Sequence, residues 1–266
     1  MKISVYIIAF NEADKISDCI NSVLWADEII VADSNSTDGT SEIAMELGAK
    51  VVHIPFKGYG DLRNQAISHC NGDWIFSLDS DERCTIEVRD EIIKLINDAS
   101  LDIYRVPRKN FFMGRWIKHS GWYPNFRQPQ LFKKGKMSYT MESVHEGFVN
   151  HSNKEIGTIN NIIWQFPFKN TEEVINKANR YSTLGVEKLQ EKGVKGSVFK
   201  AVLHGLWSFI KHYIFKLGFL DGGPGLVIAF GNFEGTFYRY IKLTETQKNW
   251  KAPSIDSIQR SKKLNH

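Results

Sequence analysis

Short apolar segments alternate with amphipathic segments through the first hundred residues of the chain. The apolar segments are rich in β-branched residues and bounded by polar ones, which is typical of buried strands. Between them, apolar residues recur every three or four positions, which predicts helices. The predicted strands are 3–9, 28–32, 50–54 and 73–78, and the predicted helices are 16–24, 40–47, 61–70 and 86–96. This alternation predicts βαβ units and an α/β fold with a mainly parallel sheet flanked by helices.

Polar and acidic residues follow three of these strands directly. Asn11 and Glu12 follow the first strand, Asp33 follows the second, and Asp79-Ser80-Asp81 follows the fourth. In an open parallel sheet, ligands bind outside the carboxyl ends of the strands. Acids held close together cost free energy unless a cation or protons compensate them. The sequence therefore predicts a positively charged group at this edge of the sheet.

Asp79 and Asp81 are the first candidates for binding a metal ion. A divalent cation bound to a diphosphate prefers one or two carboxylates together with phosphate oxygens, and both Mg²⁺ and Mn²⁺ suit oxygen ligands. An isolated Asp-x-Asp pattern occurs in many loops. Here it directly follows a buried strand that is the fourth in an alternating series, so we predict a Mg²⁺ or Mn²⁺ site at these two residues.

The middle of the chain, 102–150, loses the alternation. From Arg105 to Lys136 it contains nine lysines and arginines and no acid, with aromatic residues interleaved. Such a segment is typical of contact with nucleic acid, sugar phosphates or a membrane, and a solvated basic loop is the alternative. Nucleic acid is not expected, because the acids at the strand ends would repel phosphates and no basic base-reading helix is present.

The last third of the chain is predicted to be helical. Across 199–217, lysines and histidines fall on one half of a helical wheel and bulky apolar residues on the other. Such a helix either closes a core or lies in a membrane interface. A second apolar segment, 226–243, follows the glycine-rich residues 221–225, and 244–266 forms a polar tail. The sequence contains no run of about 18 uncharged apolar residues, so no membrane-spanning helix is predicted.

Composition excludes several classes of protein. Hydrophobic residues make up 42% and charged residues 24% of 266 residues, which is ordinary for a globular protein. Three cysteines without C-x-x-C spacing favour a reduced, cytosolic protein over a disulfide scaffold or a zinc site. The first strand is followed by Phe10-Asn11-Glu12-Ala13 and not by G-x-G-x-x-G, which argues against a dinucleotide-dependent oxidoreductase. A nucleotidyltransferase would need a glycine-rich basic loop there.

Four motifs carry a resemblance to a known family. They are "YIIAFNEADKISDCINSV", "DEIIVADSNSTDGTSEIA", "GYGDLRNQAI" and "GDWIFSLDSDE", and in this order and spacing they resemble family 2 glycosyltransferases with the GT-A fold. Further along, "YRVPRKNFFMGRWIKHSGWYP", "QLFKKGK", "SVHEGF" and "GFLDGGPGL" resemble the lipopolysaccharide core glycosyltransferases of the WaaE/KdtX type, which add glucose to core heptose. The resemblance implies a nucleotide-sugar-binding half at 1–100, an acceptor-side and catalytic part at 101–165, and a C-terminal helical extension at 166–243.

The resemblance also implies roles for residues of the donor site. Asp33 would accept a hydrogen bond from uracil, Glu12 would hold the ribose, and Asp79 and Asp81 would bracket the ribose and the metal. Arg63 would reach toward the nucleotide or diphosphate. The implied nucleotide-sugar-binding set is Asn11, Glu12, Asp33, Arg63, Asp79, Asp81 and Arg127.

The general base should be a carboxylate within hydrogen-bond reach of the acceptor hydroxyl. Glu146 in "SVHEGF" matches the motif of the group and is the predicted base. Glu142 is the alternative, because the two would share a face if the segment were helical. His145 stays open as a base, a ligand or a structural residue. The chain departs from the group at Gln165, near which relatives commonly have a histidine.

The implied function is metal-dependent, inverting transfer of a hexose, glucose by analogy, from a UDP-sugar to a lipopolysaccharide inner-core heptose. The implied acceptor is a lipid A-core or similar anionic glycan. The protein would then be cytoplasmic and peripheral on the inner face of the cytoplasmic membrane. The alternatives are transfer to another cell-surface glycan and an inactive membrane-associated scaffold.

Overall fold

The computed structural model describes residues 1–98, 100–123, 128–141 and 147–248. The chain forms two compact units. The first comprises 1–118 and 122–167, and the second comprises 119–121 and the chain from 168 onward.

The first hundred residues of the first unit fold as alternating strands and helices. The elements are β1 (Ile3–Ala9), α1 (Ala13–Asn21), β2 (Glu28–Asp33), α2 (Thr40–Glu46), β3 (Lys50–His53), α3 (Tyr59–His69), β4 (Trp74–Asp79), β5 (Glu82–Arg83) and α4 (Ile86–Asn97). The predicted strands and helices are confirmed, with ends that differ by a few residues at most. The two-residue strand β5 was not predicted, because its side chains are both charged.

The residues after 100 add eight short strands. They are β6 (Ile103–Arg105), β7 (Arg108–Phe112), β8 (Arg115–Trp116), β9 (Pro129–Lys133), β10 (Met137–Tyr139), β11 (Phe148–Asn150), β12 (Gly157–Thr158) and β13 (Ile163–Gln165). Strands this short carry too little apolar periodicity to be read from sequence. Within the described residues, β6, β9 and β12 complete a seven-stranded sheet of order β12-β6-β9-β4-β1-β2-β3, β7, β8 and β13 join β5 in a second sheet of order β5-β13-β7-β8, and β10 and β11 form a separate pair.

The register of the large sheet brings the predicted acids to one edge. Strand β1 pairs in parallel with β2 and with β4. Ala9 at its carboxyl end lies opposite Asp33, and Ile8 lies opposite Asp79. The two aspartates therefore flank the end of β1 from both sides.

Both faces of this sheet are covered, as in most parallel sheets. Val5 and Ile7 pack into a cluster on one face, while Tyr6 and Ile8 pack into a cluster on the other. Every residue of β1 is buried. This double burial explains why the strand reads as a continuous apolar run and not as an alternating pattern.

The second unit is helical. It contains α5 (Thr171–Glu191), α6 (Val198–Ile210), a π-helical turn (Lys211–Phe215), a 3₁₀ turn (Gly218–Asp221) and α7 (Gly222–Lys248). Asn170 and Ser197 cap α5 and α6 by accepting hydrogen bonds from the amides of Glu173 and Lys200. Helix α7 packs against both other helices. None of the helices in the described ranges is long and apolar enough to span a membrane.

The ends of the C-terminal helices differ from the sequence prediction. The regular helix predicted to reach residue 217 ends at Ile210 and continues as the π-helical turn. Helix α7 runs through Lys248, so the segment predicted as a polar tail begins inside a helix. Thr244 is fully buried and donates a hydrogen bond to the Tyr240 carbonyl, which keeps this part helical. Residues 249–266 lie outside the described residues.

Candidate active site

The loops after β1 and β2 are bonded to each other at the edge where the strands end. Asn11 and Asn35 both adopt left-handed backbone conformations, with φ of 54° and 65°. Asparagine tolerates this region better than most residues. The Asn11 amide donates to Ser36 Oγ at 2.8 Å, and its side-chain oxygen accepts from the Thr37 amide at 2.9 Å. The two loops therefore form one fixed rim.

Glu12 lies at the start of α1, beside this rim. Its backbone carbonyl accepts from the amides of Lys15 and Ile16, both at 2.9 Å, and its own amide donates to Thr40 Oγ1 at 2.9 Å. The half-buried side chain lies 3.5 Å from the Lys15 ammonium. Its predicted contact with ribose stays a prediction.

Asp33 lies beneath the rim with no exposed side-chain surface. Its carboxylate accepts hydrogen bonds from the Ser36 amide at 3.0 Å and from the Ser36 hydroxyl, and it lies 3.2 Å from His53 Nδ1. The predicted contact with uracil therefore requires displacement of a neighbouring side chain. That role stays a prediction.

Arg63 of α3 is turned toward the end of β4. Its guanidinium donates to Asp79 Oδ1 at 2.7 Å and to Ser77 Oγ at 3.1 Å, and it lies over the Tyr139 ring at 5.4 Å. Burial alone would lower the pKa of Arg63, but Asp79 and neighbouring tyrosines raise it above its ordinary value. Arg63 thus supplies one of the positive charges that the acidic cluster requires.

Glu82 is the centre of a buried network that the sequence did not reveal. Its Oε1 pairs with Arg108 of β7, and its Oε2 accepts from the Asp79 amide at 3.0 Å and from Gln130 Nε2 at 2.9 Å. Burial raises the pKa of Glu82 to about 7, opposed by Arg108 and reinforced by Asp79 and Asp81. Arg108 is the second compensating charge. The only signal in the sequence was an arginine within a basic segment.

Asp81 lies one residue before this network and is half-buried. The side-chain amide of Gln165 donates to its two carboxylate oxygens at 3.2 and 3.3 Å. The Asp81 carbonyl also accepts from the Phe166 amide at 2.8 Å. The end of β13 therefore holds Asp81 through its side chain and its backbone.

The donor atoms at the end of β4 fit a hard divalent cation. Asp79 and Asp81 supply carboxylate oxygens, and the Gln165 amide lies within hydrogen-bond distance of Asp81. Oxygen donors of this kind suit Mg²⁺ and Mn²⁺, which commonly keep waters and take phosphate oxygens from the substrate. Within the described residues, no group of three or more His, Cys, Asp or Glu side chains forms a metal cluster.

The predicted base and three other predicted residues lie outside the described residues. These are Glu146, its alternative Glu142, His145 and Arg127. The strands that bracket 142–146 are described: β10 and β11 pair antiparallel, and Thr140 and Gly147 are joined by two hydrogen bonds of 3.0 and 2.8 Å.

Helix α3 ties this hairpin to the acidic cluster. Asn64, next to Arg63, exchanges two hydrogen bonds of 2.9 Å with the backbone of Tyr139. Gly60 approaches the Thr140 carbonyl so closely that a Cβ there would lie 1.9 Å from its oxygen. Strand β10 and Thr140 therefore lie beside the helix whose arginine binds Asp79.

The structure brings together most of the predicted donor-site residues. Asn11, Glu12, Asp33 and Asp79 lie at the ends of three adjacent strands, and Asp81 follows two residues later. Arg63 reaches the cluster from α3. Two buried arginines, Arg63 and Arg108, supply positive charge beside these acids. The predicted metal ion stays a prediction.

Comparison with known proteins identifies the family. The model of the family described as glycosyl transferase family 2 matches residues 4–152. An uncharacterized glycosyltransferase of Rickettsia typhi is 34% identical over 92% of this chain and 87% of its own length. The lipopolysaccharide core biosynthesis glycosyltransferase LpsC of Rhizobium meliloti is 28% identical over 86% of this chain and 90% of its own length.

Among solved structures, glucosyl-3-phosphoglycerate synthase from Mycobacterium tuberculosis, in complex with Mn²⁺, UDP and glucosyl-3-phosphoglycerate, is 30% identical over 42% of this chain and 44% of its own, with a TM-score of 0.35. The family match covers more than half of the chain and includes every described site residue from Asn11 to Gln130. The GT-A fold predicted from the motifs is confirmed. This chain belongs to glycosyltransferase family 2.

Proposed function

We propose that this protein is an inverting hexosyltransferase that moves glucose from UDP-glucose to a heptose of a lipopolysaccharide inner core. The observation that carries the proposal is the convergence of Asp33, Asp79 and Asp81 at adjacent strand ends in a family 2 glycosyltransferase. That arrangement suits a nucleotide diphosphate bound with a divalent cation.

The donor binds across the rim and the end of β4. Asn11 and Glu12 line the ribose side, Asp33 would accept a hydrogen bond from the base once a neighbouring side chain is displaced, and Asp79 and Asp81 would hold Mg²⁺ or Mn²⁺. When bound, the ion neutralises charge on the departing UDP. Arg63 holds Asp79 in place and adds positive potential near the diphosphate.

The transfer is a single in-line displacement. Glu146 takes the proton from the acceptor hydroxyl, the hydroxyl oxygen bonds to the anomeric carbon, and the bond from that carbon to the UDP oxygen breaks, which inverts the configuration. The base must lie within hydrogen-bond reach of the hydroxyl. The hairpin carrying Glu146 is anchored beside Arg63 through Asn64, which supports this assignment.

The acceptor assignment rests on a relative and on the positive charge of the segment from Arg105 to Lys136. LpsC is described as a lipopolysaccharide core biosynthesis glycosyltransferase and resembles this chain over most of its length. An inner-core acceptor is anionic and carried by a lipid, so the enzyme works at the inner face of the cytoplasmic membrane.

The test is transfer from a panel of UDP-sugars, with Mg²⁺ or Mn²⁺, to heptose-terminated core acceptor, measured as UDP release and product mass. We expect UDP-glucose to be used and Asp81→Ala to abolish metal-dependent UDP binding with an unchanged circular dichroism spectrum. Transfer only to a different glycan would reject the acceptor. UDP affinity that is the same with chelator and in Asp81→Ala would reject the donor site.

A further inference from the structure

The second unit carries a broad exposed apolar surface on α6 and on the turns that lead to α7. Its largest members are Phe199, Leu203 and Trp207 of α6 and Phe215, Phe219 and Leu220 of the turns. Phe199 is 72% exposed, Phe215 66% and Trp207 56%. We call these six side chains the apolar ridge. The ring centroids of Trp207 and Phe215 lie 5.7 Å apart, which joins the helix to the turn, and a large exposed apolar surface marks a site of interaction with a protein or a membrane.

Helix α6 packs by its small residues and exposes its bulky ones. Ala201 and Gly205 are its buried residues, and a Cβ on Gly205 would lie only 3.0 Å from the ring of Phe233 on α7. Ser208 donates to the Asn232 carbonyl across the same contact at 3.2 Å. Helices in water usually bury the bulky apolar face, whereas helices in lipid meet through small residues. The packing of α6 follows the second pattern.

Charge identifies the partner. From Lys192 to Phe233 the chain contains five lysines and one acid, Asp221. Asp221 is buried, and its carboxylate accepts from the His119 amide and from Ser120 Oγ at 2.9 Å. The charge that this region presents to solvent is therefore positive. A second copy of the chain would bring lysines against lysines, while anionic lipid headgroups complement them.

We infer that the apolar ridge inserts into the headgroup and acyl boundary of an anionic bilayer, with Phe215, Phe219 and Leu220 entering deepest. Lys200 and Lys211 remain at the level of the headgroups, as in helices that lie in the plane of a membrane. The inference rests on the proposed function for its purpose, since it would bring the enzyme to an acceptor held in the leaflet. Vesicle binding itself requires neither donor nor acceptor.

The experiment is co-sedimentation of the full chain with vesicles of phosphatidylcholine and phosphatidylglycerol in equal parts, and with phosphatidylcholine alone, over a salt series. Changing Phe215, Phe219 and Leu220 together to Ser should weaken binding at least tenfold. Lys200→Gln with Lys211→Gln should weaken binding to anionic vesicles about fivefold per lysine at low salt, and less at high salt. Vesicles with brominated acyl chains should quench the fluorescence of Trp207, and Trp207→Phe should remove that quenching.

A matched control changes three exposed apolar residues of the first unit, Leu24, Met45 and Ile86, to Ser. This variant should bind vesicles like the wild type. Wild type that stays in solution with anionic vesicles at low salt would overturn the inference, as would equal weakening by the control. A third outcome is that neither the wild type nor the ridge variant binds vesicles, while the wild type is a dimer and the variant a monomer. The partner of the apolar ridge would then be a second copy of the chain and not a bilayer. The ridge variant should transfer sugar to a delipidated acceptor at the wild-type rate. This measurement separates a loss of membrane binding from a failure of the proposed function.

Discussion

Replacing Glu82 by glutamine removes one charge from a buried ion pair behind the donor site. Glu82 has no exposed surface, and Arg108 is 8% exposed. Glutamine keeps the size of the side chain and an oxygen that can accept from the Asp79 amide. It leaves the Arg108 guanidinium buried without its carboxylate. The change therefore tests the loss of the charge, because the hydrogen bond from the Asp79 backbone amide can still form.

Breaking a buried pair by removing one partner costs about 3–5 kcal/mol, because the remaining charge is uncompensated. Burial and the neighbouring acids raise the pKa of Glu82 and so oppose its ionisation, which makes the expected net loss in Glu82→Gln smaller than that range above about pH 7. The chain offers a matched control in Arg89 and Asp90, whose 2.7 Å pair is exposed. Asp90→Asn should cost about 0–1 kcal/mol. Adding Arg108→Met to Glu82→Gln removes the stranded charge and should restore most of the lost stability, since apolar replacement of a buried pair is often neutral.

The assay is urea unfolding at about pH 8, above the raised pKa of Glu82, followed by tryptophan fluorescence and fitted with a common slope. UDP binding with Mn²⁺ should weaken in Glu82→Gln, because the ion pair with Arg108 no longer holds the side chain that supports the turn from Asp79 to Glu82. The reasoning fails if Glu82→Gln loses no more stability than Asp90→Asn, or if Arg108→Met does not restore any of the loss.

Two further predictions concern catalysis and stability. Glu146→Gln should lower transfer by about 10²–10⁴ with UDP-sugar affinity retained, and Glu142→Gln should lower it much less; a reversed order would move the base to Glu142. The hydrogen bond from Lys133 lowers the pKa of Asp102 to about 2, so this carboxylate stabilises the fold above about pH 4 and loses that effect as the pH falls toward 2. Asp102→Asn should therefore cost about 1–2 kcal/mol in urea unfolding at neutral pH and less at about pH 3, and an equal loss at both would contradict the assignment.

The first hundred residues could be read from sequence because their signals are local. Each strand is a short apolar run, and each helix shows apolar periodicity, so the strand ends and their acids follow from the pattern alone. The register that sets Asp33 and Asp79 on either side of β1 is a consequence of parallel pairing, which the alternation also predicts.

The partners of the acids could not be read in the same way. Arg108 lies 26 positions after Glu82 in a segment whose many cations suggested contact with sugar phosphates, nucleic acid or a membrane. It is buried because β7 pairs with β13, which pairs with β5, so two strands bring the arginine and the glutamate into one sheet. Pairing of short charged strands is decided by tertiary packing, and no local pattern encodes it.

Buried arginines compensate the acids that follow β4, and this compensation has a consequence for function. The turn from Asp79 to Glu82 is held from two independent directions, by Arg63 on α3 and by Arg108 on β7. Each arginine is buried, so its position is set by the packing of its own element. The fold itself therefore fixes the turn from Asp79 to Glu82, and this preorganisation is what the proposed stabilisation of a departing diphosphate would require. Gln165 extends the same support to the Asp81 carboxylate from β13.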